Sequence, residues 1–488
     1  MPLHPHLRHS LLASALLLAS GLAVAAEPTV IAKELQQAKT YTVSSAPTEP
    51  LHMDPPKLPD LSGFTAEAVQ NKIDRRHKGK VSVRRMLQEE SLKEFIGGDN
   101  KAAEWVQRQH GIPQAIFVDD GHVDLVELSK KVPKQYLSEV EPGVYLARLP
   151  IVVGQKGILE INGKVKQLRL SQEGGAFLVN DGKLFVSDTQ VTGWREKDNG
   201  PATFRSPKEF RPFLLSWGGT ETYIVNSKMA SFGYAKSKSY GVSISQYTPN
   251  MAKQMDRPEP TGWIIGSEFS DMWYGFYCYE TSDFVVKDST YRDNIVYGID
   301  PHDRSHRLII AGNTVYGTKK KHGIIVSREV NDSWIINNKS YDNKLSGVVI
   351  DRNSVNNLIA YNEIYRNHTD GITLYENIAM ANGLVGVYGH IKDLSETDRD
   401  IALDPFDTKV SLIVVGGELA ANGSGPLSID SPLSVELYRV SMLAPSKASG
   451  ISFSGVLGER QDEILDLMVR QGKAVLIDPV ERQTEMLD

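Results

Sequence analysis

The sequence predicts an all-β chain, a right-handed parallel β-helix of about 24 residues per coil with small helical N- and C-terminal capping segments. Three observations carry that prediction. A glycine followed by an apolar strand recurs at Gly275, Gly298, Gly323, Gly347 and Gly371, at intervals of 23, 25, 24 and 24. A second mark keeps phase with it: Asn313-x-x-Tyr316, Asn338-x-x-Tyr341 and Asn362-x-x-Tyr365, with Asp288-x-x-Tyr291 read as the same mark one period earlier. Between the marks lie short apolar strands, among them Leu308–Ile310, Trp334–Ile336 and Leu358–Ala360, and no helical pattern. Leucine-rich repeats have a similar length, but their Leu-x-x-Leu-x-Leu frame is missing. Composition agrees with a folded soluble chain: of 488 residues 23% are charged and 41% hydrophobic. The net charge of −6 excludes a global basic field for nucleic acid. The single cysteine, Cys278, excludes an intrachain disulfide framework and any multi-cysteine metal site.

The elements follow in chain order. Residues 1–26 read as an export signal: a short n-region ending at Arg8, an apolar run from Leu11 to Ala25, and the small-x-small pattern Ala23-Val24-Ala25. The apolar run is too short to span a bilayer comfortably, so no membrane insertion is expected after cleavage, and the expected location is the periplasm. Residues 27–150 read as a linker rich in Pro, Ser and Thr followed by a helical capping region. Within it, Met86, Leu87, Leu92, Phe95 and Ile96 fall on one face of a helical pattern over Val81–Gln109. Residues 151–440 read as the β-helix with the catalytic face. Its less regular coils include Leu184–Val186, Tyr223–Val225 and Gly241-Val242 upstream, and Val410–Val415 and Leu433–Val440 downstream. Residues 441–488 read as a C-terminal cap with a short amphipathic helix over Glu459–Gln471.

Stacking coils about 4.8 Å apart brings equivalent positions side by side. The in-phase Asn side chains would then bond to one another and to turn backbones. Along each strand the first and third residues after the Gly are apolar and face inward, while the second and fourth face out. The second-position column reads Tyr277, Asp300, Ile325, Val349, Thr373. The fourth reads Tyr279, His302, Ser327, Asp351, Tyr375, and the fifth reads Glu280, Asp303, Arg328, Arg352, Glu376. One solvent-facing side therefore gathers Tyr, His, Asp and Arg. Its local charge departs from that of the whole chain: residues 292–328 hold seven basic residues against three acidic, a net of +4. Lys319-Lys320-Lys321 alone would suit a solvated loop, but beside an outward His and Arg the run suits a polyanion.

The segment Tyr297-Gly298-Ile299-Asp300-Pro301-His302-Asp303-Arg304-Ser305-His306 closely resembles the signature of the mannuronan C5-epimerases, which convert mannuronate to guluronate within alginate. With the export signal and the length, the resemblance extends over nearly the whole mature chain and points to the periplasmic kind that works with the alginate export machinery. No Gly-Gly-x-Gly-x-Asp nonapeptide of the secreted calcium-dependent kind is present, so the resemblance implies no metal and no other cofactor. It implies an isomerase acting on polymannuronate, with the alginate export complex as partner. Matching its pattern makes His302 the base, Arg328 the neutraliser of the substrate carboxylate, Asp300 an orienting or tuning group, and Tyr297 a candidate acid alongside water. Arg352, Asp303, Arg304, His306, Lys319, Lys320 and Lys321 are the expected substrate contacts. A polyuronate lyase, which shares the first proton abstraction, and a non-catalytic polymer scaffold remain the alternatives.

Overall fold

The computed structural model describes residues 40–45, 57–96, 101–248, 251, 254–351, 354–375, 410–430, 434–443, 452–453 and 455–480. The export signal and Arg352 lie outside the described residues, as does most of the linker. Residues 42–478 form one compact unit; of the second unit, 1–41 with 479–488, four residues are described.

The unit is a parallel β-helix with three short strands per coil. The coil of Tyr297–His302, Ile309–Ala311 and Thr314–Tyr316 pairs in parallel with Ile324–Ser327, Trp334–Ile336 and Lys339–Tyr341 above it. Those pair in turn with Val348–Asp351, Leu358–Ala360 and Glu363–Tyr365. Parallel pairing reaches back to Gln114–Asp124, which runs beside Ile151–Ile161. At the far end Val475–Val480 lies antiparallel to Ser434–Tyr438, so that ladder does not end on a bare parallel edge.

The repeat residues hold this frame in two ways. The recurring glycines let successive backbones approach. A Cβ at Gly298 would stand 2.3 Å from the Val315 side chain and 2.7 Å from the Gly323 carbonyl oxygen. The asparagines form a buried ladder. Asn313 Nδ2 donates to Asn338 Oδ1, and Asn338 Nδ2 to Asn362 Oδ1, each at 3.0 Å. Each amide also donates to a backbone carbonyl: Val286 from Asn313, Ile310 from Asn338 and Ile335 from Asn362. A second ladder, Asn343–Asn367–Asn422, runs parallel to it. The tyrosines of the mark stack face to face outside, Tyr316 on Tyr341 at 5.0 Å and Tyr341 on Tyr365 at 4.8 Å. Asp288-x-x-Tyr291 does not belong to that series. Thr290 pairs with Thr314, a step of 24, so Ser289 takes the ladder position and Tyr291 turns inward beside Val315.

The helical pattern over Val81–Gln109 is also corrected. Lys80–Arg85 is a strand antiparallel to Gln114–Asp124, because Val81 and Val83 alternate with polar residues. Among the described residues, Glu90–Ile96 and Lys101–Gln109 are α-helical and Met86–Gln88 is a single 3-10 turn, in which Leu87 is exposed. Phe95, Ile96 and Trp105 of these helices pack with Phe177, Phe213 and Trp217, which project from the early coils. Trp105 Nε1 donates to the Gly175 carbonyl at 3.0 Å. At the C-terminal end, Gln461–Leu465 is a short α-helix continued by a π turn over Asp466–Arg470.

Candidate active site

The strand Tyr297–His302 carries the site. Its inward residues, Ile299 and Pro301, are buried in the coil, and Asp300 and His302 project from the opposite side. That side was expected to be solvent-facing, and here the structure differs. Asp300 is 2% exposed, Arg328 4% and Asp303 0%. The reason is a wall that the repeat does not announce. Pro207 and Ala235, from irregular upstream segments, stand with Trp273 beside Tyr274, Tyr277 and Tyr297 around a cleft of about 450 Å³. Asp300, His302, Ser327, Arg328 and Asp351 line it from the coils, and Lys320 and Lys321 line it beside Trp273 and Tyr297.

Beneath the floor, His302 Nδ1 is hydrogen-bonded to Asp303 Oδ2, and Arg328 Nη1 lies 3.7 Å from the same oxygen. Burial pushes the Asp303 carboxyl up. The charge and hydrogen bond of His302, with the Arg328 and Lys238 cations, outweigh it, so the carboxyl lies below its ordinary range. An ionised carboxylate only accepts, so His302 Nδ1 donates to it, and the lone pair of the neutral imidazole is then on Nε2. Ser327, opposite His302 in the ladder, donates to Asp351 Oδ2 at 2.9 Å. The Tyr277 ring lies 5.8 Å from that of His302; burial, then Tyr240 and the Asp303 and Asp300 charges, push its phenol well above the ordinary value, so it stays protonated.

Tyr297 stands on the wall. Lys321 Nζ donates to its hydroxyl at 3.1 Å, and its ring stacks on His322 at 6.1 Å. His322 Nδ1 accepts the Ser346 amide at 3.1 Å, and burial lowers its pKa to about 4, so this imidazole is neutral near pH 7. Lys320 Nζ lies 5.3 Å from the Phe204 ring and 5.0 Å from that of Trp273.

The structure thus brings together Tyr297, Asp300, His302, Arg328, Lys320 and Lys321. Asp303, expected to touch substrate, instead lies buried under His302. Arg304 turns back to Glu280 of the preceding coil, its Nε donating at 3.0 Å. His306 Nδ1 pairs with the Arg304 carbonyl at 3.1 Å, and Lys319 Nζ lies 3.9 Å from Asp271; none of the three lines the cleft. For Arg304 and His306 the turn explains this: Asp303 and Arg304 have φ of 29° and 52°, so strand alternation ends at His302. Pro207 and Ala235 have no counterpart in the repeat, and no periodic signal could have found them; Trp273 stands one coil before Val296, whose amide donates to its carbonyl at 2.9 Å.

Comparison with known proteins fits this geometry. A family model described as "Periplasmic copper-binding protein (NosD)" matches residues 252–383. Among the described residues no group of three or more His, Cys, Asp or Glu is placed to hold a metal ion. The chain is 88% identical to the mannuronan C5-epimerase of Pseudomonas putida over 519 aligned residues, covering 100% of each chain. It is 62% identical to that of Pseudomonas aeruginosa, covering 93% of this chain and 89% of that one. A crystal structure of the periplasmic alginate epimerase AlgG matches with a TM-score of 0.69 and 64% identity, covering 80% of this chain and 99% of that one. With identity of this order running the length of the chain, the chain belongs to the mannuronan C5-epimerases.

Proposed function

We propose that the protein epimerises β-D-mannuronate to α-L-guluronate at C5 within alginate, with His302 as base and Arg328 as the group that neutralises the carboxylate. The observation that carries this reading is the pairing of His302 with a buried Asp303 at the floor of the cleft, with Arg328 against the same carboxylate. The proton at C5 is α to a carboxylate. Its removal sends the C–H electron pair into the C5–C6 bond and places a second negative charge on the carboxylate oxygens. A guanidinium meets that charge without changing its own protonation. His302 Nε2 takes the proton, and Asp303 stabilises the imidazolium that results. Tyr297, across the cleft, returns a proton to the opposite face of C5, and the Lys321 ammonium on its hydroxyl offsets the phenolate left behind. Asp300 tunes the site beside His302, and Lys320 holds a neighbouring uronate carboxylate.

The protein is periplasmic; among the described residues no helix is long and apolar enough to cross a membrane. In this reading the region up to about residue 150 serves as a cap, residues 151–440 hold the polymer, and the alginate export complex delivers it.

The test is proton NMR of polymannuronate incubated with the mature protein in deuterated water, with and without chelator. Guluronate signals carrying deuterium at C5 are expected from the wild type, and none from His302→Ala, which still binds polymer. Unsaturated ends would make the protein a lyase. An unchanged polymer that still binds would make it a scaffold, and full activity in His302→Ala would remove His302 as base.

A further inference from the structure

Lys238 is the one lysine among the described residues with 0% exposure, and the mechanism above does not use it. A tight turn delivers it. The Ser239 amide donates to the Lys236 carbonyl at 3.0 Å, the Tyr234 amide donates to the Ser239 carbonyl at 3.0 Å, and Lys238 itself has φ of 61°. Its Nζ lies 3.5 Å from the centre of the Tyr279 ring. Tyr279 is the ladder neighbour of His302, and Asp303 follows His302 in the chain. The ammonium is therefore lodged on a ring that adjoins the base, in a part of the molecule where neither Tyr279 nor Asp303 meets water. Ammonium groups are seldom buried, and when they are, an aromatic face or an opposite charge compensates them. Here the ring supplies the first, and Asp303, which lies in the field of Lys238, supplies the second.

We propose that Lys238 is a positioning residue, the buried counter-charge that keeps the Asp303 carboxylate in service to His302 when Arg328 is drawn onto the substrate. The proposal rests on the reading of His302 as base. Arg328 serves two carboxylates, Asp303 at 3.7 Å and the carboxylate of the bound uronate. As charge builds on the uronate, Arg328 is pulled toward it, and Asp303 would be left in an apolar surround with the imidazolium alone. Lys238 cannot be shared in this way, because it lies behind the floor and does not line the cleft.

The test is the pH dependence of kcat/KM for Lys238→Met, which keeps most of the length of the side chain and removes its charge. The groups that bear on the pair are Arg328 and Lys238 on Asp303. Asp300, Tyr240 and Tyr279 face Tyr277 beside His302, and Asp351 acts through Ser327. Removing one positive charge from this set favours the protonated forms of both Asp303 and His302. The acid limb of the profile is therefore expected to move up by about one pH unit, which is a tenfold loss on that limb, with KM for polymannuronate unchanged. An acid limb at the wild-type pH in a folded Lys238→Met protein would overturn the proposal, whatever its rate. Should the Met variant fail to fold, Lys238→Gly, which suits the positive φ, takes its place. If neither folds, Lys238 belongs to the fold and the proposal is likewise overturned. His302→Ala measured in parallel separates the two claims: an active His302→Ala sinks the base assignment, whereas an inactive one with an unmoved Lys238→Met limb sinks only Lys238.

Discussion

One column of outward side chains passes through both halves of the molecule, and its two halves have opposite uses. From the early coils onward it reads Val152, Val179, Leu215, Ser243, Tyr277, Asp300. The same backbone ladder presents all six. Over the first three sit the helices Glu90–Ile96 and Lys101–Gln109, and the contact is apolar: Phe95, Trp105, Phe177, Phe213 and Trp217 pack together over it. Over the last two, irregular segments stand back and leave space lined by Asp300, His302 and Arg328. Both halves are buried. In one, burial removes apolar surface from water and stabilises the fold; in the other, it takes charge out of water and depends on exact pairing. The scaffold is neutral between these outcomes, and the segments laid over it decide.

Variants should therefore separate the halves by what they lose. The largest effect is expected from Arg328→Lys. Lys keeps the charge and lacks the planar fork that meets a carboxylate on two oxygens. A loss of about 10²–10³-fold in kcat/KM is expected, with the melting temperature nearly unchanged. Retained activity would show that charge alone is needed at the floor.

Trp105→Ala is expected to give the reverse signature. It removes edge contacts to Phe177 and Phe210 and the bond to the Gly175 carbonyl. A loss of about 3–5 kcal/mol is expected from denaturant unfolding, with kcat/KM of the protein that remains folded within twofold of wild type. A fall in kcat/KM with no fall in stability would mean that the covered half takes part in the reaction, and the contrast would fail.

How much of each half the sequence shows follows from how each is built. The coil is legible because glycine and asparagine recur wherever backbones must approach or amides must stack. His302 and Arg328 could be brought together from the period alone, since Ser327 stands opposite His302 and Arg328 follows it. The Tyr291 slip shows the limit: with coil intervals of 23 and 25 in succession, a mark can be read one residue out of phase. Arg304 and His306 fall beyond the strand, where positive φ at Asp303 and Arg304 ends the alternation, and Lys319 follows a different strand, Thr314–Tyr316. Pro207 and Ala235 reach the cleft, and Lys238 the Tyr279 ring beside it, from irregular upstream segments, and only the folded chain brings them there.

Two buried carboxylates carry the comparison into pH. Asp181 belongs to the covered half, where Tyr247 donates to its Oδ1 and Arg257 Nη1 donates to the same oxygen at 3.1 Å. Burial dominates there and pushes Asp181 up to about 6, against the pull of Tyr247 and Arg257. Asp303 is displaced the other way. The signs follow from linkage. A carboxyl raised above its unfolded value of about 3.9 favours the fold fully below that pH, and the contribution is lost as pH rises through about 6. A lowered one, Asp303, contributes above about 4 and is lost as the solution is acidified. Asp181→Asn keeps an acceptor for Tyr247 and cannot ionise, so it removes the first effect and leaves the second. Relative to wild type it should gain on the order of 1–2 kcal/mol between pH 5 and pH 7.5, read as a difference in unfolding free energy at the two values. An unchanged difference would mean that Arg257 pairs with an ionised Asp181 as fully as His302 does with Asp303, and the two halves would then handle buried charge alike.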